Sequence, residues 1–320
     1  MAPKKILGIR RSRFLRGVRA VHDFLSLPLA LVLLTYSKRV DPAYNMPWYK
    51  RAALGFRFYR NEYRMTSGTS WRAHLVMAMK LLEIPQHEQG DIVECGCWKG
   101  GATVNLSIIA AIVGRKFRIY DSFEGLPPPT KGDPVAERSF KDGFVAGVYG
   151  GTLQEVKANV EKYGAIGPCS FHKGWFKDTL PDHDTPVVLA FWDVDYYASL
   201  HDCIVNLWPH LVDGGYVFLD EYRNVAYCSV FFSERYWKTY LDCAPPGIVG
   251  TGTGVQVGMC YSDPGIGAGR PGIQHGASTA YSRKGEEAFW DYFPAEDDAA
   301  HRQDPAAVEE SEGGRAQPQV

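Results

Sequence analysis

The sequence has no recurring CxxC pair, no GxGxxG in the glycine turn at residues 96–101, no excess of either charge and no long apolar run, and each gap removes a class of protein. Its seven cysteines are odd in number and scattered, apart from Cys95 and Cys97. Neither a paired disulfide framework nor a four-cysteine zinc site fits that spacing. A CxC pair also closes poorly as a strain-free disulfide, so a redox or metal pair at Cys95–Cys97 is the less direct reading. Cys169, Cys203, Cys228, Cys243 and Cys260 sit among apolar neighbours and read as small buried hydrophobes. A reducing, cytoplasmic setting is the simplest expectation. The formal net charge of −1 gives the chain as a whole no nucleic-acid signature. Internal repeats are absent as well.

What is present is an ordinary globular composition, 45% hydrophobic and 22% charged, enough to bury a sizeable core. The two ends depart from that average. Residues 1–23 carry Lys4, Lys5, Arg10, Arg11, Arg13, Arg16 and Arg19, and an apolar run follows from Phe24 to Leu34, interrupted by Pro28. The order imitates a signal peptide, but no small-residue cleavage site follows cleanly. The run is also far short of the roughly 20 residues a spanning helix needs. Residues 1–37 are expected either to pack as a helix on the domain or to lie as a peripheral membrane anchor, basic side chains on anionic headgroups. Residues 283–320 are rich in Glu, Asp, Ala, Gln, Gly and Pro, and a disordered acidic tail is expected there.

Between the ends, residues 38–66 mix aromatics and arginines without a clear period and read as a leader packed on the main domain. Ser70 can cap a helix in which Trp71, Leu75, Ala78 and Leu82 recur at helical spacing, with Pro85 just beyond its end. After Gly90, short apolar runs alternate with amphipathic stretches. DIVECG (91–96), FRIYDSF (117–123), CSFHKG (169–174), PVVLAFWDVD (186–195) and GGYVFLDEY (214–222) read as strands. Helices are predicted over 101–113, 153–164 and 198–208. This alternation implies a doubly wound α/β domain over residues 67–262, a mostly parallel sheet with helices on both faces. Residues 263–282 read as loop.

In such a sheet, ligands bind beyond the carboxyl ends of the strands, so what each strand ends in is informative. The first ends at Glu94, followed at once by Gly96, Gly100 and Gly101 in IVECGCWKGGAT (92–103). The second ends at Asp121, the fourth at Asp193 with Asp195 beyond it, and the fifth at Asp220–Glu221. Any one of these can be a cap or an internally satisfied group; four on one rim call for a ligand. Glu94 and Asp121 are one strand–helix–strand unit apart, the placement that grips ribose hydroxyls in dinucleotide folds. Without the glycine fingerprint, a ribose-bearing cofactor lacking a pyrophosphate fits better. S-adenosylmethionine is one, and close backbone approach at Gly96 would suit its amino-acid part. Asp193, Asp220 and Glu221 follow another logic, because three converging carboxylates raise one another's pKa unless something positive lies between them. An oxygen-only set suits Mg²⁺ or Mn²⁺. Such an ion can lower the pKa of substrate hydroxyls for an adjacent carboxylate to deprotonate. The alternative is that Asp220 and Glu221 simply cap the next helix.

Five blocks, IVECGCWKGGAT, YDSFEGLPPP (120–129), HKGWFKDTLP (172–181), FWDVDYYASL (191–200) and LVDGGYVFLDEY (211–222), resemble in order and spacing those of the macrocin O-methyltransferase (TylF/MycF-type) family. The resemblance runs from about Thr69 to Tyr222. It implies a Rossmann-like methyltransferase fold and a metal-dependent transfer of methyl from S-adenosylmethionine to a sugar or vicinal-diol hydroxyl of a glycosylated metabolite or glycolipid. Carried over by position, Glu94 and Gly96 would meet the methionine end of the cofactor. Asp121 would hold the ribose with Ser122 beside it, and Trp175 and Phe176 would lie near the adenine. Asp193, Asp220 and Glu221 would bind the metal, with Asp193 also the general base and Asp195 a structural neighbour.

This chain departs from the family pattern in three places. It has Asp220–Glu221 where a pair of aspartates is usual, and Val194 where a small residue is more common. The run YCSVFFSERYWKTY (227–240) is also unlike the family and reads as an acceptor wall or a core helix. Two rival readings stay open: a nucleotide-dependent oxidoreductase, and a catalytically inactive, membrane-peripheral binding protein of the same fold. Whether copies associate into a homo-oligomer is also open at this stage.

Overall fold

Short apolar runs and amphipathic stretches fold largely into the elements their periods imply. A computed structural model of the chain describes residues 20–21, 24–129, 146–221, 225–251 and 279–285. All of them belong to one compact unit, Met1–Glu286. Its strands are β1 Asp91–Cys95, β2 Phe117–Asp121, β3 Cys169–Lys173, β4 Val187–Trp192, β5 Leu211–Leu219, β6 Gly250–Thr251 and β7 Ala280–Arg283. They form a single sheet in the order β3-β2-β1-β4-β5-β7-β6. β1 to β5 pair in parallel, while β7 runs antiparallel to both β5 and β6.

The helices are α1 over 24–35, α2 Trp48–Glu62, α3 Trp71–Glu83, α4 Gly101–Val113, α5 Leu153–Tyr163, α6 Phe176–Thr179, α7 Tyr197–Leu207, α8 Val225–Cys228 and α9 Glu234–Leu241. Strand side chains alternate between two apolar layers, as the pleat requires. Ile92, Phe191 and Phe218 pack with Leu75 of α3 and Val104 and Ile109 of α4. Val93, Ala190, Trp192 and Val217 face Leu200 and Ile204 of α7 and Trp237 of α9. A register shift between Val187 and Leu189 puts Val188 and Leu189 in the same layer. The expected doubly wound α/β class is the one observed.

The start of α3 is fixed twice. Ser70 Oγ accepts from the Ala73 amide at 3.4 Å, and Glu62 Oε2 accepts from the Trp71 amide at 2.8 Å. The expected leader over 38–66 contains a fifteen-residue helix, α2, which buries Leu54 and Phe58 in the main core. Residues 280–283, expected to be loop and tail, are instead the strand β7. The predicted domain end at residue 262 therefore falls short of the sheet. The run 227–240 supplies Tyr227, Phe231 and Trp237 to the second core layer, the core reading of that segment. The rest of the predicted loop and acidic tail lies outside the described residues. Among the described residues, no helix is long and apolar enough to cross a membrane.

From β1 the chain steps outward to β2 and β3, then returns to β4 on the other side of β1. That reversal opens a crevice beyond the carboxyl ends of β1 and β4, the switch point at which ligands bind in open α/β sheets.

Candidate active site

A cavity of about 580 Å³ occupies this crevice. Its floor is set by a backbone contact between the two central strands. The Asp193 amide donates to the Cys95 carbonyl at 2.9 Å, and a Cβ on Gly96 would lie 1.9 Å from the Asp193 carbonyl oxygen. Only glycine fits there, and its φ of +83° lies in the left-handed region. Trp98, two residues on, also adopts a positive φ, as do Phe123, Tyr149 and Asp195. Trp98, Tyr149 and Asp195 line the cavity, and Phe123 follows Ser122 on its wall. Strained backbone at non-glycine residues persists where the surrounding structure enforces it, and it gathers at functional sites.

Gly96, Asp121, Ser122, Trp175, Phe176, Asp193, Asp220 and Glu221 all line the cavity. Glu94 does not. It is fully buried on the Ile92 side of β1, with the Thr103 hydroxyl as its polar neighbour. Burial raises its pKa to about 8, helped by the Asp121 charge and opposed by the Thr103 hydroxyl. The structure thus places Glu94, expected at the methionine end of the cofactor, beneath the cavity and off its wall, because pleat alternation turns its side chain into the layer under α4.

Asp121 reaches the cavity with most of its acceptor capacity engaged. Oδ2 accepts from the amides of Cys97 at 2.7 Å and Trp98 at 3.3 Å, and Oδ1 accepts from Phe123 at 2.6 Å. A carboxylate has about four lone-pair sites, so one remains for a hydroxyl. Burial raises the Asp121 pKa, and these amides pull it back down. Ser122 Oγ donates to the Gly125 carbonyl at 2.8 Å and accepts from the Glu124 amide at 3.1 Å, closing the turn that follows β2.

On the other side of the crevice, one carboxylate oxygen from each of Asp193, Asp220 and Glu221 lies within 4.8 Å of the others. Burial lifts the Asp193 carboxyl well above the usual range, and Asp220, Glu221, Asp195 and Glu94 add to the effect. Glu221 is lifted in the same way, by burial first and then by Asp195 and Asp220. Asp195 rises to about 7 through burial and the Asp220 charge. Its amide donates to Glu221 Oε1 at 3.1 Å, and the buried Tyr227 hydroxyl lies against the same carboxylate. Three converging acidic oxygens form a donor set that fits a hard divalent cation.

Sequence reasoning missed two aromatic walls. Trp98 and Tyr149 meet edge to face with ring centroids 5.4 Å apart. Gly151 holds the Tyr149 loop against the first turn, because a Cβ there would lie 2.1 Å from the Trp98 carbonyl oxygen. Trp98 was visible as an aromatic inside a glycine turn; nothing near Tyr149 signals its approach. Lys177 and Asp202 also line the cavity. Burial raises the Asp202 carboxyl, and His201 and Lys177 lower it.

Residues 63–240 match the macrocin-O-methyltransferase (TylF) family over more than half of the chain. The chain belongs to that family. The match carries through the aromatic run 227–240, which the block resemblance had left outside. Two relatives illustrate the relationship. One is the 8-demethyl-8-(2,3-dimethoxy-alpha-L-rhamnosyl)-tetracenomycin-C 4'-O-methyltransferase of Streptomyces olivaceus. It is 33% identical over 171 residues, covering 48% of this chain and 66% of that protein, just under two thirds of its length. The other is the demethyldecarbamoylnovobiocin O-methyltransferase of Streptomyces niveus, 32% identical over 221 residues, covering 64% of this chain and 82% of that protein. The solved structure of the O-methyltransferase NovP aligns at 23% identity over 82% of this chain and 99% of that one, with a TM-score of 0.48.

Proposed function

We propose that this protein transfers a methyl group from S-adenosylmethionine to a sugar or vicinal-diol hydroxyl of a glycosylated small molecule or glycolipid, with Mg²⁺ or Mn²⁺ as a second cofactor. The observation that carries the reading is the convergence of Asp193, Asp220 and Glu221 on the wall of the cavity that Gly96 and Asp121 also line. Family membership supports the reaction type. One relative is named for a rhamnosyl-bearing tetracenomycin, which favours a sugar acceptor.

The cofactor would lie along the β1–β2 side. Gly96 leaves room for its amino-acid part, the remaining lone pair of Asp121 accepts from a ribose hydroxyl, and Trp175 and Phe176 offer apolar faces to the base. Ser122 shapes the turn beneath it. Asp193, Asp220 and Glu221 would hold the cation, which supplies positive charge that lowers the pKa of substrate hydroxyls. Asp193 takes the proton from the attacking hydroxyl as the new bond forms. Trp98 and Tyr149 exclude water from the reacting oxygen. Positioning and electrostatics account for most of the acceleration. Glu221, although it replaces an aspartate, still brings its carboxylate into the cluster, which favours an active enzyme over a binding protein that has lost catalysis.

The test replaces Asp193 with Asn. Turnover of labelled methyl donor with a glycoside panel should fall by about 10²–10⁴-fold or more, while S-adenosylhomocysteine binding measured by calorimetry stays near wild type. Retained turnover would remove the assigned role. Cofactor binding without methyl transfer by the wild type to any acceptor would instead support the inactive-protein reading, and preference for NADH would support the oxidoreductase.

A further inference from the structure

Helix α1 is apolar on both sides. Leu27 and Ala30 are buried in the core, with Leu31 and Leu34 packed against it, and a Cβ on Gly55 of α2 would lie 2.6 Å from Leu31. The opposite face is solvent-exposed and carries no charge. Phe24 is 64% exposed, Leu25 72%, Leu29 58% and Leu33 53%, with Val21, Val32 and Tyr36 on the same stripe. Spacings of three and four residues place these side chains along one side of the helix. Seven of the sixteen exposed large hydrophobics among the described residues come from this short stretch. A contiguous apolar face of this kind marks an interaction surface.

The sequence before it says what covers the face. Residues 1–22 contain seven lysines and arginines and no acidic residue. A second copy of the chain docking symmetrically through this face would bring the same cations against one another. An anionic bilayer meets both features, since acyl chains accept the apolar side chains and headgroups accept the cations. The helix is also placed to matter. Arg72 at the start of α3 donates to Ser26 Oγ at 3.4 Å, and Ser37 donates to Glu83 at the end of α3 at 2.7 Å, so α1 runs alongside α3 in the same direction. Gly68, four residues before Arg72, lines the cavity. The first turn of α1 therefore lies at the crevice end of the domain.

We propose that the outer face of α1 docks on an anionic lipid surface, whose headgroups are complementary to the cations that precede the helix in the sequence. The inference does not depend on the methyl-transfer reading, because its test reads binding alone. Full-length protein is sedimented with vesicles of phosphatidylcholine, and of phosphatidylcholine mixed with phosphatidylglycerol, at low and high salt. Two variants accompany it, one with Arg10, Arg11, Arg13 and Arg16 each changed to Gln, the other with Phe24→Ser, Leu25→Ser and Leu29→Ser. Circular dichroism melts check that both are folded.

Wild type should pellet with the anionic vesicles only, and high salt should weaken the binding. Each variant should lose about tenfold or more in partition coefficient, given the energy that each basic residue and buried methylene contributes. Equal partition of wild type and both variants would overturn the proposal. So would wild type remaining in the supernatant with both vesicle types, or light scattering that shows a lipid-free dimer dispersed by the α1 substitutions, which would assign the face to a second copy.

Discussion

Gly96 and Asp193 touch backbone to backbone across the β1–β4 switch point, and the contact leaves no space for a side chain. It ties the turn that would cradle a cofactor to the residue that would take the proton. Gly96→Ala should therefore damage both functions at once. The left-handed φ alone costs about 1–2 kcal/mol for a non-glycine residue, and the clash forces one of the strand ends to shift. Thermal melts should show a lower Tm, and both S-adenosylhomocysteine affinity and turnover should drop. A variant with wild-type Tm and activity would contradict the contact.

Asp121 is predicted to matter for stability before any ligand binds. Three amides donate to its carboxylate, those of Cys97 and Phe123 buried and that of Trp98 half-buried. Asp121→Ala strands all three, at about 1–3 kcal/mol for each donor left without water. Asp121→Asn keeps one acceptor oxygen and should lie between alanine and wild type. Chemical denaturation of the cofactor-free protein checks this order. If Asp121→Ala unfolds like wild type, the carboxylate is free for a ligand and the structural assignment is wrong.

The acidic cluster predicts opposite responses with and without cation. Asp220→Asn or Glu221→Gln removes one of three mutually repelling carboxylates, so the metal-free Tm should rise slightly or hold. Added Mg²⁺ should raise the wild-type Tm, by the equivalent of about 2.7 kcal/mol at a hundredfold excess over Kd, and should raise the variants' Tm much less. Scanning calorimetry with Mg²⁺ and with chelator measures both. A cation shift of equal size in wild type and variants would place the ion elsewhere.

Much of this was legible in the sequence for a physical reason. β1 to β5 show as short apolar runs between turn residues, α3 and α5 keep a 3.6-residue period, α4 is an apolar helix-length run, and strand-end acids announce a ligand rim. What was not legible depends on tertiary contact. β7 is four residues, Ala280–Arg283, with no pattern of its own; pairing with β5 makes it a strand. α2 was hidden because Trp48, Tyr49 and Phe56 are exposed on it, blurring the period that Leu54 and Phe58 keep. Tyr149 enters the cavity through a left-handed backbone that no composition signals. Glu94 could have been placed correctly from the outset, since residues two apart on a strand share a face and Ile92 points into the core.

Glu94 gives the last prediction, a dependence of stability on pH. Its carboxyl is held protonated to about pH 8 in the folded protein by burial, against an ordinary value of 4.5. Between those values the native state binds a proton that the unfolded chain has released. Stability must therefore fall as pH rises through that window and level off above about 8. Asp195, raised from 3.8 to about 7, adds a slope of the same sign over its own window. Glu94→Gln removes one titrating group and keeps an amide of the same shape beside the Thr103 hydroxyl. The variant should match wild type near the acidic end, exceed it in stability above the upper limit, and show a flatter profile between. Urea unfolding at both ends of the range, without divalent cation, measures the difference. An unchanged slope in Glu94→Gln would mean that the carboxylate ionises at its ordinary pH in the fold, and that its burial does not hold the proton.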